Sequence, residues 1–507
     1  MGSPTSAALF IRADASAQIG TGHVMRMLAL AQAWQRAGAG PVVFLCAQLP
    51  AALADRLRSE PCTVVELPQA ATPADDARAT LAAIGNYFQL SDVWLVADGY
   101  HFGGEFQQVI KAEGVRLLVM DDNGENADYV CDLVLNQNIH ADEKFYARRA
   151  AHTRLLLGTR HVLLRKEFLA VERRRDIPTV ARRLLVTMGG ADPGNMTGMI
   201  LDGLAQWSPE EGELCVVLGG SNPRADELER QARALPWSKV RVRRNATNMP
   251  ELIRWADMAV TAGGSTCWEL CLLGLPMLVI SIAENQRALV QALGAAGAAV
   301  VVGQAGEVKS GELVRQLAAL SADAGRRQTL SAAAQRVVDG WGAERVVAAL
   351  RGEELFLRPA TMEDAERLWR WANDPLTRAV SFRQDPIPWD THVAWLQSKL
   401  AHDRVQMLMA ETGTGLIGVI RFELEAPPSA VVSVTLAPEA RGRGWGAKLI
   451  VQGTHRFAAV TGTTEVHAFI KPDNRASVVA FERAGYGPAD ETVMAGAPAL
   501  QRVWRQS

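Results

Sequence analysis

From residue 8 onward, short apolar runs alternate with stretches of helical periodicity: ALFIRAD, a helix from about His23, then VVFL, VVEL, VWLVAD and RLLVMDD with helical segments between them. Strands of about four to seven residues separated by helices of about ten to fifteen predict βαβ units and a parallel, doubly wound sheet. The pattern fades near residue 165, and the charge-rich stretch ERRRDIPTVARR (172–183) reads as a linker. The alternation then restarts with LLVTMGG, CVVLGG, VRVRRNA, MAVTAGG, PMLVISI and AAVVVG, and helical segments from about 310 to 350 close it. The expected architecture is two successive Rossmann-like domains with a cleft between them.

After Gly352 the period changes. A strand (LFLRPA) leads into a helix opened by Thr361, with Asp364 three residues on as a capping box, and a second helix is expected near Trp389 to Leu400. The runs VQMLMA, LIGVIRFELE and AVVSVTL then resemble an antiparallel meander. This is an α+β module, and the expected domains are 1–170, 180–350 and 353–507.

Composition narrows the function classes. A chain of 507 residues allows about three domains, each able to bury its own core. With 48% hydrophobic and 21% charged residues it is an ordinary globular chain. A formal net charge of −2 offers no global attraction to nucleic acid or an anionic membrane, so anion binding must be local. The six cysteines show neither a CxxC pair nor His-Cys zinc spacing, which fits a reduced cytoplasmic setting and no metal. Cys267 and Cys271 are expected together on one helix face as two small buried residues. No run of 18 apolar residues exists, so membrane spanning is disfavoured. Met1, Gly2 and Ser6 match the loose N-myristoylation pattern, which is common by chance and is discounted.

Three glycine-rich turns carry the chemistry of the first two-thirds. Gly20-Thr21-Gly22-His23 follows the first strand and opens the first helix, where glycines permit close backbone approach and unpaired N–H groups attract an anion. The full GxGxxG is absent, so a nicotinamide cofactor is not indicated. Taken alone, a histidine after such a turn is more often structural than catalytic. Met188-Gly189-Gly190-Ala191-Asp192 ends a strand, and Gly263-Gly264-Ser265-Thr266 lies between a strand and a helix, suiting a diphosphate; Glu269 sits one turn on, where it can accept from ribose hydroxyls. Two glycine pairs at strand C-termini of one domain favour a nucleotide site over ordinary tight turns.

GTGHVMR, DGYHF, Asn245-Ala246-Thr247-Asn248-Met249, TAGGSTCWELCLLGLPMLVI and AENQ together resemble the UDP-sugar hydrolases of pseudaminic acid biosynthesis, relatives of the spore-coat polysaccharide proteins, over roughly residues 8–305. The resemblance implies a glycosyltransferase-B-like fold and hydrolysis of UDP-2,4-diacetamido-2,4,6-trideoxy-β-L-altropyranose, with water attacking the anomeric carbon and UDP leaving. It assigns His23 to water activation, with Tyr100 and Asn285 as helpers, and makes Asn248 and Met249 UDP-sugar contacts beside Gly20, Thr21, Gly22, Gly189, Gly190, Gly264, Ser265, Thr266 and Glu269. An ordinary imidazole titrates near pH 6.5, so a neutral fraction is available as general base, worth on the order of 100- to 10,000-fold. Glycosyltransferases bind UDP-sugars in the same fold, so a transferase is the alternative from first principles.

In the last third, Val434-Thr435-Leu436-Ala437-Pro438-Glu439-Ala440 runs into Arg441-Gly442-Arg443-Gly444-Trp445-Gly446 and a helical stretch. A strand, an Arg/Gly-rich loop and a helix form an anion cradle, and the Lys-Ser/Thr ending of a Walker A loop is missing. Arg441-x-x-Gly444-x-Gly446, with Asn474-x-x-Ser477 and Phe481-Glu482-x-x-Gly485-Tyr486, resembles the GNAT acetyltransferases over about 354–505. That implies acetyl-CoA as co-substrate, main-chain groups near Ser433 to Leu436 polarising the thioester, and Asn474 touching the cofactor. Many GNAT enzymes place a tyrosine as the acid that protonates the departing thiolate where this chain has Phe481, and Tyr486 lies five residues on; Glu423, Glu425 and Ser433 are the candidate proton acceptors, directly or through water. The combined expectation is a bifunctional enzyme: 4-N-acetylation of UDP-4-amino-4,6-dideoxy-N-acetyl-β-L-altrosamine, then hydrolysis of the product, in a pathway serving flagellin glycosylation. A regulatory acetyl-CoA sensor in a related nonulosonate pathway is the rival.

Overall fold

In the computed structural model, which describes residues 7–506 apart from 17, 18, 174, 175, 191, 221, 426 and 427, the apolar runs form three sheets. Met1, Gly2, Ser6 and Ala191 therefore lie outside the described residues. The chain divides into Met1–Arg351 and Gly352–Ser507.

The first sheet contains β1 (Ala8–Ala13), β2 (Val42–Cys46), β3 (Thr63–Glu66), β4 (Val93–Asp98), β5 (Arg116–Met120), β6 (Leu133–Asn136) and β7 (Arg154–Leu157), in the order β3-β2-β1-β4-β5-β6-β7. The second contains β8 (Arg183–Thr187), β9 (Glu213–Leu218), β10 (Lys239–Arg244), β11 (Met258–Ala262), β12 (Met277–Ser281) and β13 (Val300–Gln304), ordered β10-β9-β8-β11-β12-β13. All these neighbours pair in parallel, and β1, β4 and β11 are buried along their whole length, because helices cover both faces. Each sheet reverses its order between its first and fourth strands. At such a switch point the flanking crossovers leave to opposite faces and open a crevice at the strand C-termini. The two sheets form a glycosyltransferase-B-like unit.

Strands β6 and β7 lie beyond the last run read as a strand before residue 165. Two segments also pack away from the sheet they adjoin in sequence. The helix Gly342–Leu350 follows the second sheet, yet Ala343, Val346, Val347 and Leu350 bury among Leu9, Val24 and Leu28 of the first domain. Val346, Val347 and Leu350 each contribute about 1.5–3 kcal/mol when fully buried, and Arg345 adds a hydrogen bond to the Arg160 carbonyl at 2.7 Å. Conversely, Val162, Leu164 and Phe168 pack with Leu270 and Cys271 of the second domain. The chain thus crosses between the domains twice.

The third sheet holds β14 (Phe356–Pro359), β15 (Val405–Thr412), β16 (Gly415–Leu424), β17 (Ser429–Leu436), β18 (Glu465–Ile470), β19 (Asp490–Met494) and β20 (Ala497–Arg505), in the order β14-β15-β16-β17-β18-β20-β19. From β14 to β17 it is an antiparallel meander; β18 joins β17 in parallel after the helix Trp445–Thr461. Thr361 and Asp364 form a reciprocal capping box, and Trp389–Leu400 is helical. This is an α+β GNAT fold. Cys267 and Cys271 are buried. Among the described residues, no helix is long and apolar enough to cross a membrane.

Candidate active sites

In the first unit the two switch points supply the groups that line the cleft. The chain leaves β1 through a turn closed by Gly20, whose φ of +80° suits glycine, and enters the helix Gly22–Arg36. His23 lies in its first turn and is buried, with ring Nδ1 2.6 Å from Oδ1 of Asp98 at the end of β4. Arg26, one turn further on the same helix face, donates from Nε and Nη2 to the two Asp98 oxygens, both at 2.6 Å, and from Nη1 to Asp122 at 2.9 Å. Burial works to raise the Asp98 carboxyl, but the charge of Arg26, then His23, and their hydrogen bonds hold it well below the usual carboxylate range. Asp98 is therefore an ionised acceptor, which fixes the proton on Nδ1 of His23 and leaves the Nε2 lone pair for the cleft.

Tyr100 stands edge-on to His23, ring centroids 5.2 Å apart, and is half exposed. Asn285, in the turn after β12 of the second domain, donates from Nδ2 to the Tyr100 hydroxyl at 3.3 Å, bridging the cleft. Burial first, and then Asp122, push the Tyr100 phenol up, so it stays a neutral donor. His23, Tyr100 and Asn285 share a cavity of about 230 Å3 with Gly22, Gly264 and Ser265.

The other expected contacts do not converge on this cavity. Gly20 and Thr21 shape the turn, and Thr21 makes no side-chain cap bond. Gly189 and Gly190 form a tight turn (Gly189 φ +82°) resting on Gly219, where a Cβ would lie 2.1 Å from the Gly190 carbonyl oxygen. Asn248 precedes the helix Met249–Trp255, and Met249 is core. Thr266 opens the helix Thr266–Leu272. Glu269 pairs with Arg165 at 2.9 Å; burial raises its carboxyl and Arg165 opposes the shift. Sequence reasoning passed over Arg26, Asp98 and Asp122. The signal was present: a charge at the end of each apolar run VWLVAD and RLLVMDD, and an arginine one turn after His23.

In the second unit, β17 pairs with β18 only from Ser429–Val432 against Glu465–Ala468. Beyond that the strands part, leaving the main chain of Ser433–Leu436 without a strand partner on that side. The gap opens into a cavity of about 320 Å3 lined by Thr435, Leu436, Arg441, Gly446, Asn474 and Phe481. Gly442 (φ +74°) and Gly444 (φ +80°) turn the loop so that successive N–H groups precede the 17-residue helix Trp445–Thr461. Arg441 is anchored, with Nη1 2.6 Å from Asp374 and Nη2 donating to Thr377 Oγ1 at 2.8 Å, while Arg443 is exposed and Trp445 packs beneath Lys448.

Asn474 Oδ1 accepts from Ser477 N at 3.2 Å, capping the helix Arg475–Arg483. Phe481 lines the cavity and meets Tyr486 edge-on at 4.9 Å. Tyr486 points away, hydrogen-bonded to Thr454 at 2.9 Å, and burial pushes its phenol far up. Glu423 is held ionised against partial burial by Lys399, 2.5 Å away, then by Arg421. Glu425 is exposed, whereas Ser433 lines a smaller recess of about 70 Å3 with Arg421, Trp395 and Thr435. Among the described residues of either unit, no group of His, Cys, Asp or Glu side chains is placed to hold a metal.

Family models match a segment of each unit. Residues 185–342 match the glycosyltransferase family 28 C-terminal domain, and residues 354–487 match the acetyltransferase (GNAT) domain. The chain is 22% identical over 495 residues to an uncharacterized protein of Methanocaldococcus jannaschii, covering 93% of this chain and 95% of that one. It is 25% identical over 281 residues to the UDP-2,4-diacetamido-2,4,6-trideoxy-beta-L-altropyranose hydrolase of Campylobacter jejuni, covering 55% of this chain and 93% of the relative. The MurG structure from Acinetobacter baumannii aligns with a TM-score of 0.49 at 16% identity, over 68% of this chain and 99% of that one. The chain is a fusion of a unit similar to a UDP-sugar hydrolase with a GNAT acetyltransferase domain.

Proposed function

We propose that this fusion performs two consecutive steps on one UDP-activated amino sugar in the cytoplasm. The GNAT domain transfers an acetyl group from acetyl-CoA to the 4-amine of UDP-4-amino-4,6-dideoxy-N-acetyl-β-L-altrosamine: the neutral amine attacks the thioester carbonyl, the C–S bond breaks, and the CoA thiolate takes up a proton. The first unit then hydrolyses UDP-2,4-diacetamido-2,4,6-trideoxy-β-L-altropyranose to the free sugar and UDP. Chemical order thus runs from the C-terminal site to the N-terminal one, and neither step calls for a metal.

The observation that carries the reading is His23, oriented by Asp98, which Arg26 in turn holds, facing a cavity spanned by the Tyr100–Asn285 bridge. His23, with Nδ1 against Asp98 and its other ring nitrogen toward the cleft, activates water, Tyr100 and Asn285 orient it, and the backbone at Gly264 and Ser265 receives the diphosphate. The open gap beside Ser433–Leu436 and the Arg441–Gly446 loop support acetyl-CoA as the donor. A free thiol has a pKa near 8.5, so the thiolate leaves tolerably without a tyrosine acid at position 481.

Mass spectrometry after mixing the 4-amino sugar nucleotide with acetyl-CoA tests the sequence of steps. Gain of one acetyl followed by UDP release is expected; UDP release without acetylation, unaffected by acetyl-CoA, supports a sensor in its place. His23→Leu should abolish UDP release, and equal release from variant and wild type would remove His23 from the mechanism.

A further inference from the structure

The acetyl-CoA cavity of the second unit has a neighbour. Thr435 borders it and also lines the smaller recess of about 70 Å3, so the two meet at β17, beside the gap that receives the thioester. In the antiparallel register of β16 and β17, Arg421 stands opposite Ser433 and Val419 opposite Thr435, which puts these four residues on one face of the sheet. His392 and Trp395 of the helix Trp389–Leu400 complete the wall on that face. Burial lowers the His392 imidazole, so it is neutral at pH 7. Among the described residues lining the recess, Arg421 is the one charged side chain.

The Arg421 guanidinium lies over the Trp395 ring, with Cζ 5.2 Å from the centroid, and 25% of the side chain stays open to solvent. Its Nε is 2.9 Å from Glu423 Oε1, an ion-pair contact without the alignment of a hydrogen bond. Glu423 is also held by Lys399 at 2.5 Å, so two cations share one carboxylate and a positive charge is left over. Nη1 and Nη2 of Arg421 have no hydrogen-bond partner among the described residues, which leaves the outer edge of the fork free. Burial lowers the guanidinium from its ordinary value and Glu423 opposes only part of that shift, yet an arginine stays charged. A desolvated fork short of counter-charge suits a phosphate, whose oxygens accept from it in pairs. The recess has room for a group of that size, and it repels an ammonium.

We propose that Arg421 anchors the acceptor phosphate nearest the sugar, which restricts the acetyl-transfer site to an amine carried on an anionic nucleotide and closes it to polyamines. The inference rests on the acetyl-transfer reading above. The 4-amine and the anomeric phosphate of that acceptor sit at opposite ends of one pyranose ring. With the amine at Thr435, beside the thioester, the phosphate lies a ring-width away, and the strand that carries Arg421 runs about 4.8 Å from β17. The leftover positive charge also favours the neutral form of the incoming amine, and the neutral amine is the form that attacks.

The test measures initial rates of thiol release by the full-length protein with three amines: the 4-amino sugar nucleotide, the same amino sugar without phosphate, and spermidine. Arg421→Gln is expected to raise KM for the sugar nucleotide about tenfold or more, while kcat, KM for acetyl-CoA and turnover of the phosphate-free sugar change less than about threefold. Arg421→Lys, which keeps the charge and loses the fork, should recover part of the affinity. UDP should inhibit the wild type in competition with the sugar nucleotide, and uridine about tenfold more weakly, a comparison that stands even where Arg421→Gln does not fold. An unchanged KM in Arg421→Gln, an equal fall on the sugar nucleotide and the phosphate-free sugar, spermidine used as well as the sugar nucleotide, or equal inhibition by UDP and uridine overturns the anchor while the acetyltransferase reading stands. No thiol release by wild type with the sugar nucleotide sinks that reading, and the anchor with it.

Discussion

Asp98→Asn changes one oxygen to nitrogen at the centre of the first site. The wild-type carboxylate is fully buried and accepts from His23 Nδ1 and twice from Arg26, all at 2.6 Å. An asparagine offers one acceptor and one donor where three donors converge, so it must turn its NH2 toward either Arg26 or His23. Breaking a buried pair outright costs about 3–5 kcal/mol, but Arg26 keeps Asp122 and the volume is unchanged, so a loss on the order of 2 kcal/mol is expected. The catalytic effect is separate. Without the carboxylate, the proton is no longer held on Nδ1, and the tautomer with Nε2 protonated cannot accept from water. A general base contributes about 10²- to 10⁴-fold, and losing its orienting carboxylate forfeits most of that, so kcat for UDP release should fall about 10²- to 10³-fold with KM within threefold. A thermal melt confirms folding, and a continuous UDP-coupled assay gives both constants. A folded Asp98→Asn protein with kcat within threefold of wild type would refute the orienting role.

Three further outcomes follow from the same geometry. His161 is buried, its imidazole lowered to about 4 by burial first and then Arg160. A base with a depressed folded pKa contributes stability present above its unfolded value of about 6.5 and lost as pH falls from there toward 4; the total is about 3 kcal/mol, and His161→Gln should flatten that slope in denaturant titrations across this window. Phe481→Tyr, which puts a phenol at the wall of the acetyl-CoA cavity, should change the acetyl-transfer rate less than threefold in a thiol-release assay; a strong rise would show that the wild-type site lacks an acid it needs. Tyr486→Phe removes the buried bond to Thr454, and should lower stability by about 1–2 kcal/mol by calorimetry while leaving acetyl transfer near the wild-type rate.

The sequence by itself determined the layers. Apolar runs of four to six residues divided by helical stretches can bury both faces only as parallel strands under helices, and the longer runs after Gly352 with the Thr361–Asp364 cap specify an α+β module, because these signals are local in the chain. Gly20 and Gly444 were legible for the same reason: a backbone with φ near +80° selects its residue on the spot. What the tertiary structure decided is which charges meet. Arg12 and Asp76 are 64 positions apart, His23 and Asp98 75, Tyr100 and Asn285 185, and nothing in a run of residues records such a distance. The same holds for Arg441, whose loop announces an anion cradle while its guanidinium is committed to Asp374 and Thr377, and for Gly342–Leu350, a helix whose apolar face is plain in sequence but whose partner, the first sheet, is set by where an uncovered surface remains after both domains close. Periodicity specifies that a face must be buried or that a turn must bend; only the folded chain specifies against what.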